Sequence, residues 1–198
     1  MAYPTVSAPY GLKPVNSLDG KPYAGAVRQI PVAVGFGTAI FNGDTVQIDS
    51  TGYLIKSTST NAGTIVGVMV GGQYVNSMGQ TIQGQYIPAL ASTSGNEALA
   101  YVVDDQQALF KVAVVTSGTT MGTASRADVG SNVALVLNAG STTTGDSAYG
   151  VTLTGAGTTA TIPVRVIDVV PETATSTGVY TELFVKINAH QYNNTTGV

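Results

Sequence analysis

Proton-transfer chemistry of the Ser–His–acid kind would have to run through His190, the one histidine in the chain. No Gly-x-Ser-x-Gly elbow supplies the serine such a triad needs, so His190 reads as a polar residue at a strand end. One histidine and no cysteine leave a zinc site short of ligands. The carboxylates are scattered, and the only adjacent pair, Asp104-Asp105, sits where a turn is expected. Two carboxylates from distant strands could flank a glycosidic bond, but without tryptophan a sugar platform would rest on tyrosine and phenylalanine. No Asp-x-Asp-x-Asp loop offers a calcium site. Phosphate loops fail too: Gly35-Phe36-Gly37 lacks a third glycine, and Gly20-Lys21 is followed by Pro22 rather than Ser or Thr. The residue types therefore predict a protein that is not an enzyme and carries no cofactor and no metal.

What the chain is made of explains why chemistry is scarce. Only 10% of its 198 residues are charged, against about 25% in an ordinary domain. Threonine (27) and valine (26) dominate beside 24 glycines, and β-branched side chains pack best on a pleated surface. The expected fold is all-β, a sandwich or barrel of the β-tulip or jelly-roll kind. No apolar run approaches the roughly 18 residues of a membrane span, and the start, Met1-Ala2-Tyr3-Pro4, lacks a secretory signal's charged and apolar regions. A net charge of −3 with no basic block argues against nucleic acid. So few charges leave sheet edges poorly guarded, which predicts a homo-oligomer.

Residues 1–35 differ from the rest. They hold five of the eight prolines, three tyrosines (Tyr3, Tyr10, Tyr23) and a net charge of +2 from Lys13, Lys21 and Arg28 against Asp19. Proline fixes φ and removes a donor, so a central strand is improbable, and the segment reads as an extended N-terminal arm. Residues 36–198 form the β domain, with a possible division into two β subdomains near 116–125. Asn42-Gly43 and residues 49–52 are turn signals. Gly67 marks a close backbone approach, residues 125–130 a short helical turn ending in glycine, and residues 162–170 a strand that slips phase at Ile167-Asp168 as a bulge would make it. Residues 179–188 alternate most cleanly, with Val179, Thr181, Leu183, Val185 and Ile187 on one face.

The runs Ser7-Ala8-Pro9-Tyr10-Gly11-Leu12-Lys13-Pro14-Val15, Gly43-Asp44-Thr45-Val46 and Gly63-Thr64-Ile65-Val66-Gly67-Val68 together resemble virion structural proteins of tailed bacteriophages, in particular the small capsid decoration, or cement, proteins. Residues 126–130 and 188–192 resemble parts of the same group. The resemblance implies a protein on the outer surface of the virion head, often a trimer, that clamps neighbouring subunits of the major capsid protein and grips them with a terminal arm. Tyr3, Pro4, Pro9, Tyr10, Pro14 and Tyr23 are then the expected apolar anchors, and Lys13, Lys21 and Arg28 the partners of acidic capsid patches. Deleting residues 1–30 is expected to abolish capsid binding and leave the fold intact. The alternative is a phage tail or fibre module that binds a receptor or glycan, with the tyrosines and the Thr/Gly-rich loops lining a shallow site.

Overall fold

Val-rich stretches become strands, whereas the Thr-rich runs at 142–144 and 158–161 form turns. The structure, a computed structural model, describes residues 8–58, 64–89, 97–174 and 180–193. Its strands in chain order are β1 (Lys13–Ser17), β2 (Arg28–Val32), β3 (Ile40–Phe41), β4 (Thr45–Ile48), β5 (Leu54–Lys56), β6 (Gly67–Val75), β7 (Thr81–Gly84), β8 (Tyr86–Ile87), β9 (Ala98–Val103), β10 (Ala108–Ala113), β11 (Val115–Ser117), β12 (Thr120–Met121), β13 (Asn132–Val136), β14 (Gly150–Gly157), β15 (Val164–Val169) and β16 (Glu182–Ile187). Single 3₁₀ turns occupy Arg126–Asp128 and Gln191–Asn193.

Two antiparallel sheets carry most of these strands. One runs β1-β10-β16-β15-β13-β14 and the other β2-β9-β6-β4-β5, with β7 also paired to β6. They are called here the β10 sheet and the β6 sheet. Neither closes on itself, so the fold is all-β as expected and, of the two expected forms, the barrel is not formed. Each sheet has its own apolar core. Phe110, Val112, Leu135, Val166, Leu183 and Val185 pack beneath the β10 sheet, and Ile30, Val32, Val46, Leu54, Met69 and Val102 beneath the β6 sheet. Ile65, Val68 and Val103 join the first cluster from the β6 side, so the two cores abut.

Several local expectations hold. The strand at 182–187 buries Leu183, Val185 and Ile187, as its alternation predicts. The β15–β16 register slips between Val166 and Asp168. Gly67 lies so close to β9 that a Cβ would stand 2.3 Å from the Val103 carbonyl oxygen. Ser125 caps the 3₁₀ turn through a capping box with Asp128.

Two turns do something different from what their residues suggest. Asn42-Gly43 makes a turn, closed by the Asp44 N–H to the Phe41 carbonyl at 3.0 Å. Yet β3 pairs with β8, and β4 with β5 and β6. The turn at 104–107 likewise joins two strands that never pair, since β9 belongs to the β6 sheet and β10 to the β10 sheet. The chain therefore changes sheet at 104–107. Residues 116–125 hold only the small β11–β12 pair.

The largest correction concerns the N-terminal arm. Leu12 is fully buried, β1 pairs with β10, and β2 pairs with β9 while burying Ile30 and Val32. From Leu12 on, this segment is therefore largely built into the body. Its prolines are explained by position: β1 ends the β10 sheet and β2 ends the β6 sheet. An edge strand has one row of N–H groups with no ladder partner, and proline is tolerated there. Pro14 faces Phe110 and Pro31 faces Leu99 in register.

Candidate docking surface

The link between β1 and β2 runs from one sheet edge to the other, and it is where side chains are left facing outward. Six large apolar side chains are exposed among the described residues, and four of them lie on this link or near its ends: Leu18 and Val27 on the link, Val15 within β1 and Val34 just after β2. Beside the link lies a groove of about 240 Å³, bounded by Asn16, Ser17 and Tyr23 on one side and Val103, Asp105 and Ala108 on the other. The Oδ1 of Asn16 is buried without a hydrogen-bond partner. At the loop tip Asp19 and Lys21 pair at 2.6 Å in full view of solvent, and the lysine holds the Asp19 carboxyl below its ordinary range.

The residues expected to act as anchors separate into two groups. Tyr3 and Pro4 lie outside the described residues. Pro9 is buried and Pro14 half-buried. Tyr10 donates its hydroxyl to Glu182, a carboxylate only 3% exposed, which Lys111 also approaches at 3.4 Å. Burial, and then this bond to Glu182, push the Tyr10 phenol far up. Lys13 pairs with Asp146 at 2.7 Å and lies 3.3 Å from the Asn42 carbonyl. All four are committed to the protein's own body.

Lys21, Tyr23 and Arg28 remain at the surface. Lys21 is exposed at the loop tip and Tyr23 half-buried in the groove wall. Arg28 is exposed, pairs with Asp104 at 3.0 Å and lies 5.0 Å over the ring of Tyr192. The exposed valines and Leu18 were missed by reasoning from prolines and tyrosines. For Leu18 and Val27 the signal that could have found them is that they interrupt the polar loop between two edge strands.

Elsewhere the conspicuous polar residues are structural. Asp44, fully buried, accepts from the Phe41 N–H (2.9 Å) and the Ser147 hydroxyl (2.6 Å) and pairs with Lys56 at 2.8 Å. The Lys56 ammonium lies over the rings of Tyr149 (4.8 Å) and Phe41 (5.4 Å). Gly11 presses on this knot so closely that a Cβ would stand 2.6 Å from that of Ser147.

His190 is likewise buried. Its Nδ1 accepts from the Tyr192 N–H at 3.2 Å, which leaves Nε2 to donate to the Asp104 carbonyl at 3.2 Å. Burial lowers its pKa. Both nitrogens are occupied in tying the C-terminal turn to the crossover at 104–107. No group of three or more His, Asp or Glu that could hold a metal occurs among the described residues, and no helix among them is long and apolar enough to cross a membrane.

No family model matches the chain, and neither a curated protein nor a solved structure is found to be similar to it.

Proposed function

We propose that this chain is a capsid decoration, or cement, protein of a tailed bacteriophage. It binds the outside of the head and clamps neighbouring subunits of the major capsid protein as a homo-oligomer, with a trimer the form the resemblance implies. The observation that carries this reading is that four of the six exposed large apolar side chains among the described residues fall between positions 15 and 34, in or just beyond the two edge strands and on the link that joins them. Val15, Leu18, Val27 and Val34, with Tyr23, Lys21 and Arg28 between them in sequence, are the side chains a neighbouring protein surface would bury. The action is mechanical. Several modest contacts on one rigid body reinforce each other because each raises the effective concentration of the next.

The anchor is a strand–loop–strand edge rather than a free arm, so the residues that grip are those from 15 to 34. Deleting residues 1–30 is therefore expected to unfold the protein, since it removes Leu12, β1 and half of β2.

One feature favours a second reading, a receptor- or glycan-binding tail module. A shallow groove of about 260 Å³ is lined by Tyr74, Ile82, Gln85, Tyr86 and the hydroxyl side chains of residues 142–144. Copy number separates the two. Quantitative mass spectrometry of particles carrying this chain gives its ratio to the major capsid protein. A ratio near one, or a simple fraction such as about one third, supports the cement reading. A few per cent supports the tail module, and absence from the particle overturns both.

A further inference from the structure

Charge in this chain is sparse enough to account for in full, because all eight cationic and eleven carboxylate side chains lie in the described residues. Six cations form ion pairs within the chain: Lys13, Lys21, Arg28, Lys56, Lys111 and Arg126. The two that do not are Arg165 and Lys186, and they face each other directly across the β15–β16 ladder. Like charges opposed on one sheet face repel. The pair sits on the outer face of the β10 sheet, because its neighbours along each strand, Val164, Val166, Val185 and Ile187, point into the core. Neutral partners hold both in place: Arg165 donates through Nε to the Asn132 Oδ1 at 2.9 Å, and the Lys186 ammonium is 3.5 Å from the Gln107 Oε1.

Two of the five carboxylates left without a cation are hydrogen-bonded to the two ends of one tyrosine. Asp49 accepts from the Tyr53 N–H at 3.3 Å and Glu97 accepts from the Tyr53 hydroxyl. They mark the β4–β5 turn and the start of β9, on the β6 sheet. The unpaired cations on the β10 sheet thus have unpaired carboxylates, one at each end of Tyr53, on the other sheet of the same molecule.

We propose that a second copy of this chain docks its Asp49–Tyr53–Glu97 end against Arg165 and Lys186, a head-to-tail contact between the β6 sheet of one copy and the β10 sheet of the next. Such a contact uses two different surfaces and repeats from copy to copy, closing a ring where the rotation allows. It rests on the homo-oligomer in the function proposed above and names the surfaces that make it. Carboxylates from a second copy relieve the repulsion of the opposed cations, and a contact built on charge pairs weakens in salt.

The test is sedimentation equilibrium on the full chain and on charge-reversed variants whose urea midpoints match the parent. The parent is expected to sediment as a multiple of 20.1 kDa in dilute buffer and to lose mass toward one chain in concentrated salt. R165E/K186E and D49K/E97K are each expected to sediment as single chains, an equimolar mixture of the two to recover association, and the fourfold variant to associate by itself. A parent that is a single chain at every concentration overturns both the oligomer and this contact. A parent oligomer whose mass R165E/K186E leaves unchanged keeps the oligomer and overturns the contact.

Discussion

An Asp–Lys ion pair with a tyrosine nearby occurs in two settings in this molecule, with opposite results. Asp44, Lys56 and Tyr149 form a knot in which the carboxylate is fully buried and the lysine side chain 13% exposed. Asp19, Lys21 and Tyr23 lie along the loop between the two sheet edges, where the carboxylate is 47% and the lysine 81% exposed. The ion-pair distances are nearly equal, 2.8 and 2.6 Å. Burial alone decides what each pair does. The buried carboxylate has both oxygens answered from within the chain and holds together segments far apart in sequence. The exposed pair holds nothing together, and its neighbours Leu18, Val27 and Tyr23 stay available to another surface.

The most direct way to break this comparison is to remove one carboxylate from each. Asp44→Ala leaves the Lys56 ammonium buried without a counter-charge and the Phe41 N–H and Ser147 hydroxyl without their acceptor. Breaking a buried pair from one side costs about 3–5 kcal/mol, and we expect a loss of that order in urea unfolding followed by circular dichroism. Asp19→Ala is expected to leave the midpoint where it was. Equal effects from the two substitutions would mean that burial does not separate the sites.

The two regions were unequally legible in the sequence. Strand content followed from Val and Thr, and the buried face of residues 182–187, the bulge after Val166 and the close approach at Gly67 followed from period and glycine placement. These are local signals, read from a residue and its neighbours. The Asp44 knot was not legible, because its partners come from positions 41, 56 and 147 and only the fold brings them together. The proline-rich start was legible in composition and misread in meaning. Pro14 and Pro31 correctly exclude central strands, but they are as compatible with edge strands as with an arm. Leu12, Ile30 and Val32, apolar residues placed to be buried, were the sequence's own indication that the segment belongs to the body. Sheet membership was also out of reach, since the turn at 104–107 has the same residues whether it makes a hairpin or a crossover.

His190 sharpens the comparison from the buried side. Its pKa is lowered in the folded protein by burial, whereas the unfolded chain titrates near 6.5. Below that pH the unfolded state takes a proton that the folded state refuses, so stability falls as pH drops through about 6.5 and is complete above it. The slope for one proton is about 1.4 kcal/mol per pH unit, and we expect the urea midpoint to fall between pH 7.5 and 5.5 by up to roughly 1 kcal/mol equivalent. His190→Gln should be less stable at neutral pH and flat across this window. A parent that is itself flat would place His190 among the solvated groups and remove it as the tie between the C-terminal turn and residues 104–107.

The smallest effect on stability is expected where the effect on docking is largest. Lys21→Ala with Tyr23→Ala changes an exposed ammonium and a half-buried ring at a groove wall, and touches neither core beyond the edge of Tyr23's packing. A surface contact of that kind leaves folding nearly unchanged. A buried aromatic anchor, by contrast, dominates the interface it serves, and losing one weakens binding by about tenfold or more. Cosedimentation of the double variant with particles stripped of this chain separates the two quantities, provided the urea midpoint is measured on the same sample. Weak binding at an unchanged midpoint assigns the loop to docking. Full binding at an unchanged midpoint leaves the loop as solvent-facing surface and moves the search for the grip to Val15 and Val34 on either side of it. A lowered midpoint would mean that Tyr23 belongs with Tyr149 after all, a ring that holds the body together, and the line between the two regions would then run through the groove rather than beside it.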